Sequence, residues 1–357
     1  MTAPRVILVV RLSAMGDLVM ASGFASTLKS VYPQARIVWL VQDSFADVPA
    51  LQDSIDEVVV WHRRDWQALW RAGKFYELWR TIAQFRAELR ALRADWAIDL
   101  QGLLKSGLMA FWSGASRRVS LGGREGSRWL STEVFDRNDD RPEERADMGA
   151  EYRALAEVLV GVPYDAATPF LNVQASEVQG ARDWLNKALP SPQAQGPLIA
   201  MVPFTTRPQK HWPERSWQMV IDMLTTQSGF TLLILGGVAD RQAAERILQG
   251  RADVIDAVGK RSIRESFALL SIADVVVGVD TGMVHAAQAF RRPTVVIFGS
   301  TIPYRKPLHP DVSILWSARS CSPCGRNPTC GGRIDCMSDW SPRQVADQVL
   351  RAAGEYR

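Results

Sequence analysis

Residues 275–301, VVVGVDTGMVHAAQAFRRPTVVIFGST, constrain the fold of this chain most, because they read as two buried strands joined by one helix. Val275, Val276, Val277 and Val279 form the continuous β-branched run of a strand covered on both faces, and Thr294 to Phe298 repeat it. Asp280-Thr281-Gly282 lies where strand gives way to helix. A helix start offers unpaired backbone N–H groups and the positive end of the macrodipole, so a diphosphate can bind there, with Gly282 permitting close approach. The same residues also suit a local use, with Asp280 or Thr281 capping the helix and His285 as a core histidine.

Apolar runs recur along the whole chain with helical patterns between them. They are Val6 to Val10, Ile37 to Val41, Val58 to Trp61, Trp96 to Leu100, Leu198 to Val202, Leu232 to Leu235, Val254 to Val258, Val275 to Val279, Val295 to Phe298 and Ile314 to Trp316. This alternation predicts α/β architecture with parallel sheets, and the runs exceed what one compact sheet holds. A polar stretch from Ser191 to Pro197 precedes the second series, and a helical pattern from Ala175 to Leu189 precedes that. The expected division is therefore a first domain over 1–174 and a second over 175–340. A terminal helix over 341–357 starts at Ser341-Pro342 and sets Val345, Val349 and Leu350 on one face.

The 357 residues suffice for two domains that each bury a core, and 47% hydrophobic with 22% charged residues is a globular composition. A formal charge of +4 and a pI near 9.0 suit an anionic ligand or an acidic membrane surface without calling for nucleic acid. Arg11 breaks the first apolar run early, and Lys105, Ser106 and Gly107 interrupt the one at Leu103 to Ala115. Neither reads as a signal peptide or a membrane span, so a cytoplasmic location is expected.

Cys321, Cys324, Cys330 and Cys336 are the four cysteines, spaced C-x2-C-x5-C-x5-C. In a reducing compartment such clustering favours a structural metal clip, zinc or iron, over disulfides, with free or redox-labile thiols as the alternative. Between Arg63 and Arg93 there are eight basic residues against Asp65, Glu77 and Glu88. Phe75, Leu78, Trp79, Ile82, Phe85, Leu89 and Leu92 follow helical spacing, and that face is assigned to core packing. The lead-in differs. Trp61, Trp66 and Trp70 with Arg63 and Arg64 suit an anionic bilayer interface or the phosphates of a lipid-linked acceptor.

Two loops carry candidate chemistry. After the first strand, Arg11-Leu12-Ser13-Ala14-Met15-Gly16-Asp17 places a carboxylate at the carboxyl end of the sheet, where α/β proteins bind ligands. Asp17 there is either a functional carboxylate or the cap of the helix that follows. In the second half, Pro203-Phe204-Thr205-Thr206-Arg207-Pro208-Gln209-Lys210-His211-Trp212-Pro213 follows a buried strand. Threonine hydroxyls and an ammonium suit a pyrophosphate leaving group, whereas Lys210 as a surface lysine is the alternative. Asp240, after the Leu232 to Gly237 strand, suits ribose hydroxyls or, more simply, helix capping.

Arg-Leu-Ser-x-x-Gly-Asp, Lys210-x-Trp212-Pro213, and Asp280-Thr281-Gly282 with His285, Pro293 and Phe298-Gly299-Ser300-Thr301 resemble the bacterial lipopolysaccharide heptosyltransferase family, as does Asp99-Leu100-Gln101-Gly102-Leu103-Leu104-Lys105-Ser106. The four blocks occur in family order. The family often has proline six positions after the Asp, where Gly23 stands here. The resemblance implies a glycosyltransferase of the GT-B architecture, two Rossmann-like domains with parallel sheets facing a central cleft, and a terminal helix packing back across the domain junction. It implies inverting transfer of heptose from ADP-heptose to the lipid A-core acceptor of lipopolysaccharide, at the cytoplasmic face of the inner membrane with peripheral association.

Under that resemblance Asp17 is the general base. Lys210, Thr205, Thr206, Asp240, Asp280, Thr281, Gly282 and His285 serve the donor, and no catalytic cofactor is needed. Gln101 and Lys105 fall on the acceptor side. Arg124 and Arg128, in and after the Gly122-Gly123-Arg124-Glu125-Gly126 loop, are placed to meet acceptor phosphates. Two alternatives stand beside this: a protein heptosyltransferase of the autotransporter type with the same donor, whose relatives hold cysteine-bound iron, or a nucleotide-sugar-binding scaffold without turnover. The joint presence of Asp17 and Lys210 argues against the scaffold.

Overall fold

Each of the ten apolar runs is a strand in the computed structural model, which describes residues 3–136, 147–189, 196–226, 229–304, 306–325 and 327–354. Residues 191–195 of the polar stretch, and the last three residues of the terminal helical pattern, lie outside that description. The chain divides into two units, Met1–Phe170 and Leu171–Arg357.

The first unit runs β1 (Val6–Val10), α1 (Met15–Met20), α2 (Ser22–Val31), β2 (Arg36–Gln42), α3 (Asp47–Ala50), β3 (Glu57–Trp61), α4 (Arg63–Arg71), α5 (Phe75–Ala91), β4 (Trp96–Asp99), α6 (Leu104–Trp112), β5 (Arg117–Leu121), β6 (Glu133–Phe135) and α7 (Ala150–Val160). Its six strands are ordered β3-β2-β1-β4-β5-β6, all pairs parallel. Val9 pairs with Trp39 on one side and Ile98 on the other, which puts the ends of β1 and β4 side by side.

The second unit runs α8 (Ala175–Ala188), β7 (Leu198–Val202), α9 (Glu214–Thr226), β8 (Thr231–Ile234), α10 (Arg241–Leu248), β9 (Val254–Asp256), α11 (Ile263–Ser271), β10 (Val275–Val279), α12 (Gly282–Ala289), β11 (Thr294–Phe298), β12 (Val312–Trp316), α13 (Asp335–Ser338) and α14 (Pro342–Gly354). Its order is β12-β11-β10-β7-β8-β9, again all parallel. Numbered from its own first strand, this is the order of the first unit. Both are Rossmann-type sheets, whose order reverses beside the first strand, the place where such folds bind ligands.

Burial explains the strands. β1, β7, β10 and β11 are buried along almost their whole length, because helices cover both faces of a parallel sheet. Trp212 and Trp217 meet edge to face at 4.9 Å inside the core of the second unit. The terminal helix α14 packs on α9, β10 and β11, with Val345 and Val349 fully buried. Ser341 and Gln344 close its first turn reciprocally, at 3.0 Å from Ser341 N to Gln344 Oε1 and 3.3 Å from Gln344 N to Ser341 Oγ.

Two features differ from the sequence expectation. β5 and β6 carry no apolar run; they are the polar end of the sheet, tied by the two-pronged pair of Arg117 with Glu133 at 2.8 and 3.0 Å. In α5 only the second half of the expected apolar face is covered. Phe85, Leu89 and the following Leu92 are buried, but Phe75 and Trp79 stand out. The helix beside that end, α4, contributes no buried residue of its own, and its Trp70 meets Phe75 with both rings largely exposed.

Candidate functional site

Both units place their candidate chemistry at the carboxyl ends of the central strand pair. In the first unit the chain leaves β1 at Arg11, which is 4% exposed. Its guanidinium donates to Leu100 O at 2.8 Å and pairs with Asp17 Oδ2 at 2.5 Å. Burial works against the charge, but Tyr152, Asp17 and Glu151 outweigh it and hold the Arg11 pKa above its usual value. Asp17 Oδ2 also accepts from Ala14 N at 3.2 Å. Asp17 is thus both the closing acceptor of the α1 turn and a carboxylate fixed by a buried cation, with its side chain 38% exposed.

The end of β4 locks this loop. Asp99 is buried and accepts from Gln101 N at 2.9 Å, Gly102 N at 3.1 Å and Ser106 Oγ at 3.0 Å. Burial lifts its carboxyl to about 6, against those hydrogen bonds and the nearby Arg11. Gln101 is buried too, its Oε1 accepting from Leu12 N at 3.0 Å, so its side chain builds the Asp17 loop. Gly102 has φ +64°, and a Cβ there would fall 2.2 Å from Leu121 O, so only glycine fits. Lys105 has its pKa lowered by burial and by the positive charges of Arg63 and Arg11, with Glu125 acting the other way, which places these groups in one basic neighbourhood. Arg64, Arg124 and Arg128 are exposed.

Gly23 explains the departure from the expected proline. It sits beneath the carbonyls of Ala167 and Thr168, and a Cβ would meet Thr168 O at 2.3 Å and Ala167 O at 2.4 Å.

In the second unit, Lys210 ends the loop after β7 and forms an ion pair with Asp280 at the end of β10. Asp280 is 7% exposed, and its Oδ1 accepts from His285 Nε2 at 3.1 Å while Oδ2 accepts from Thr301 Oγ1 at 2.5 Å. Burial alone would raise the Asp280 carboxyl; His285 and Lys210 overcome it and hold the group well below the usual carboxylate range. Removing one partner from a buried pair of this kind costs about 3–5 kcal/mol. Asp280 therefore anchors a lysine and a histidine instead of capping the helix. Thr281 occupies the cap position of α12 with extended φ/ψ, yet its side chain makes no capping bond.

Thr205 and Thr206 lie half-buried and exposed on the β7 loop, where Thr205 O accepts from His211 Nε2 at 2.9 Å. Asp240 stands apart from this cluster in its bonding. Its Oδ2 accepts from Gly237 N at 2.8 Å, closing the turn after β8. Arg11 and Thr301 lie within motifs visible in the sequence, which assigns neither of them a role at the site. Arg11 has two signals, its place at the head of Arg-Leu-Ser-x-x-Gly-Asp and its position as a lone cation directly after a buried strand.

The expected metal shell is not assembled. Among the described residues no group of three His, Cys, Asp or Glu side chains could hold a metal ion. The four cysteines are free thiols of unequal setting: Cys321 is exposed, Cys324 and Cys330 are half-buried, and Cys336 is buried in α13 beside the β11 end at Gly299. Bonds from backbone N–H groups, led by Ile334, lower the Cys330 pKa, while burial and the other three thiols raise that of Cys336.

Residues 82–333 match glycosyltransferase family 9 (heptosyltransferase). The chain belongs to this family. It is similar to lipopolysaccharide heptosyltransferase 1 of Salmonella typhimurium, 26% identical over 316 residues that cover 83% of this chain and 89% of that protein. Its fold matches that of E. coli ADP-heptose lps heptosyltransferase II, with a TM-score of 0.77 at 21% identity over 98% and 99% of the two chains. It also matches E. coli heptosyltransferase WaaC with ADP-2-deoxy-2-fluoro heptose, with a TM-score of 0.71 at 22% identity over 97% and 99%. This family 9 glycosyltransferase has the GT-B fold of those enzymes. No helix among its described residues is long and apolar enough to cross a membrane.

Proposed function

We propose that this heptosyltransferase transfers heptose from ADP-heptose to the lipid-linked inner core of lipopolysaccharide, with inversion at the anomeric carbon. The donor reading is supported by the similar E. coli enzymes, one named an ADP-heptose lps heptosyltransferase and one solved with ADP-2-deoxy-2-fluoro heptose, and, in this chain, by the lysine that Asp280 pins beside the start of α12. That last observation carries the proposal. An ammonium, the Thr205 and Thr206 hydroxyls, and the α12 N–H groups at Thr281-Gly282 form the donor set suited to a diphosphate on which negative charge grows.

In the reaction an acceptor hydroxyl oxygen bonds to the anomeric carbon as the bond from that carbon to the diphosphate oxygen breaks. Asp17 takes the hydroxyl proton and ADP leaves with the bonding pair. Arg11 keeps the Asp17 carboxylate in one orientation. The basic neighbourhood of Arg63 and Lys105, with Arg64, Arg124 and Arg128, serves the phosphates of the acceptor. The charge needed at the leaving group is supplied by protein groups, so no catalytic cofactor enters the scheme. A lipid-linked acceptor sets the enzyme at the cytoplasmic face of the inner membrane as a peripheral protein.

The test is incubation with ADP-heptose and a series of truncated lipopolysaccharides, following ADP release and acceptor mass together. One heptose gained per ADP released, on an acceptor ending before the first heptose or before the second, is the expected outcome. ADP release without acceptor gain, or no turnover on any truncation, would overturn it.

A further inference from the structure

The tryptophans at the α4–α5 hairpin separate into two layers. Trp61 is buried and meets Trp66 edge to face at 5.6 Å, and Trp66 meets Phe85 likewise at 5.6 Å, so these rings are packing. Trp70, Phe75, Tyr76 and Trp79 are 57 to 73% exposed. They pair only along the surface, Trp70 against Phe75 at 5.2 Å and Tyr76 against Trp79 at 6.3 Å. Single exposed rings are ordinary, but adjoining ones mark an interaction surface. Every largely exposed Trp, Tyr or Phe among the described residues lies in the first unit.

Cations are interspersed with these rings along the chain. Residues 63–80 hold Arg63, Arg64, Arg71, Lys74 and Arg80 against Asp65 and Glu77. Between the helices opens a groove of about 380 Å³, walled by Trp66, Trp70, Leu78 and Ile82 and flanked by Arg63 and Arg71. A second copy of the chain would bring like charges together across a two-fold contact, whereas an anionic bilayer satisfies both parts of the surface. Its phosphates meet the cations while indole and phenol rings settle at headgroup depth.

We propose that the α4–α5 turn is the membrane-docking surface, laying Trp70, Phe75, Tyr76 and Trp79 into an anionic phospholipid bilayer with Arg71 and Lys74 on the headgroup phosphates. This deepens the proposed function by giving the lipid-linked acceptor's enzyme a face toward its membrane.

The test is sedimentation of the full chain with phosphatidylcholine vesicles, with and without phosphatidylglycerol, and with neither donor nor acceptor present. Binding to the anionic vesicles is expected to be at least about tenfold tighter than to neutral ones and to weaken with salt. Both Trp70→Ser/Tyr76→Ser/Trp79→Ser and Arg71→Glu/Lys74→Glu should lower it about tenfold or more with an unchanged melting temperature, since these side chains are exposed. Should the triple variant fold poorly, quenching of wild-type fluorescence by brominated lipid gives the same answer, because exposed indoles at headgroup depth must be quenched.

Equal vesicle binding by wild type and the charge-reversal variant would overturn the proposal, as would an absence of quenching. Two other results would do the same while vesicle binding stays unchanged: conversion of a dimer to a monomer assigns the face to a second copy, and a raised KM for a deacylated, water-soluble core oligosaccharide assigns it to the acceptor. The vesicle-binding and quenching outcomes do not bear on sugar transfer, which the turnover assay tests separately.

Discussion

Asp99 shows how a residue can shape the site without being read as part of it. Its carboxyl titrates at about 6 when folded, because burial outweighs the bonds from Gln101, Gly102 and Ser106, against an ordinary value of 3.8. Between those values the folded chain keeps a proton that the unfolded chain has released, so stability falls as pH rises from about 4 to about 6 and is level above. At roughly 1.4 kcal/mol per unit the loss totals about 3 kcal/mol. Asp99→Asn retains an oxygen for the Gln101 and Gly102 N–H groups and is expected to remove that slope. Denaturant unfolding at pH 4, 5, 6 and 7 checks it, and an unchanged slope would assign the burial cost elsewhere. Asp280 acts in the opposite sense: its depressed pKa contributes stability above about 3.8 that is lost as pH falls further.

At the scale of elements, α2 is held to the end of the first unit by an absence of side chain. Gly23→Ala would place a methyl within 2.4 Å of two backbone carbonyl oxygens, so it is expected to destabilise by about 1–3 kcal/mol, read as a lower melting temperature. A variant as stable as wild type would mean the 167–168 turn is free to shift. The cysteine-bearing segment makes a second expectation. With four free thiols in unequal settings, alkylation of the native protein followed by mass spectrometry should modify Cys321 early and Cys336 last. Equal protection of all four, released together by a chelator, would restore the metal clip that the spacing alone had favoured. The helices and strands were legible wherever burial wrote a pattern. β5 and β6 were not, because a strand held by Arg117 and Glu133 leaves no apolar run, nor was the exposure at the start of α5, because periodicity reports a face, not what covers it.

At the scale of the whole molecule, the repeated α/β alternation predicted two parallel sheets, and both are there, but neither strand order could be read from it. Order is set by which crossover packs beside which, a long-range choice with no local signature. It matters here because the same reversal in both units puts Arg11 and Asp99, and Lys210 and Asp280, at paired strand ends. Asp17, Lys210 and Asp280 stood out by motif and by position after strands. The pairings across the chain carry no local signature: Arg11 reaches Leu100 and Thr301 reaches Asp280 across gaps of 89 and 21 residues.

In the proposed transfer Asp17 acts as the base, and the decisive measurement is single-turnover transfer by Asp17→Asn at saturating ADP-heptose. Asparagine keeps the oxygen that accepts from Ala14 N, so the α1 turn survives, but it cannot hold the acceptor's proton. The rate is expected to fall by roughly 10² to 10⁴ with ADP-heptose affinity unchanged. A folded variant that transfers heptose at close to the wild-type rate would contradict the mechanism and leave Asp17 as a helix-closing residue alone.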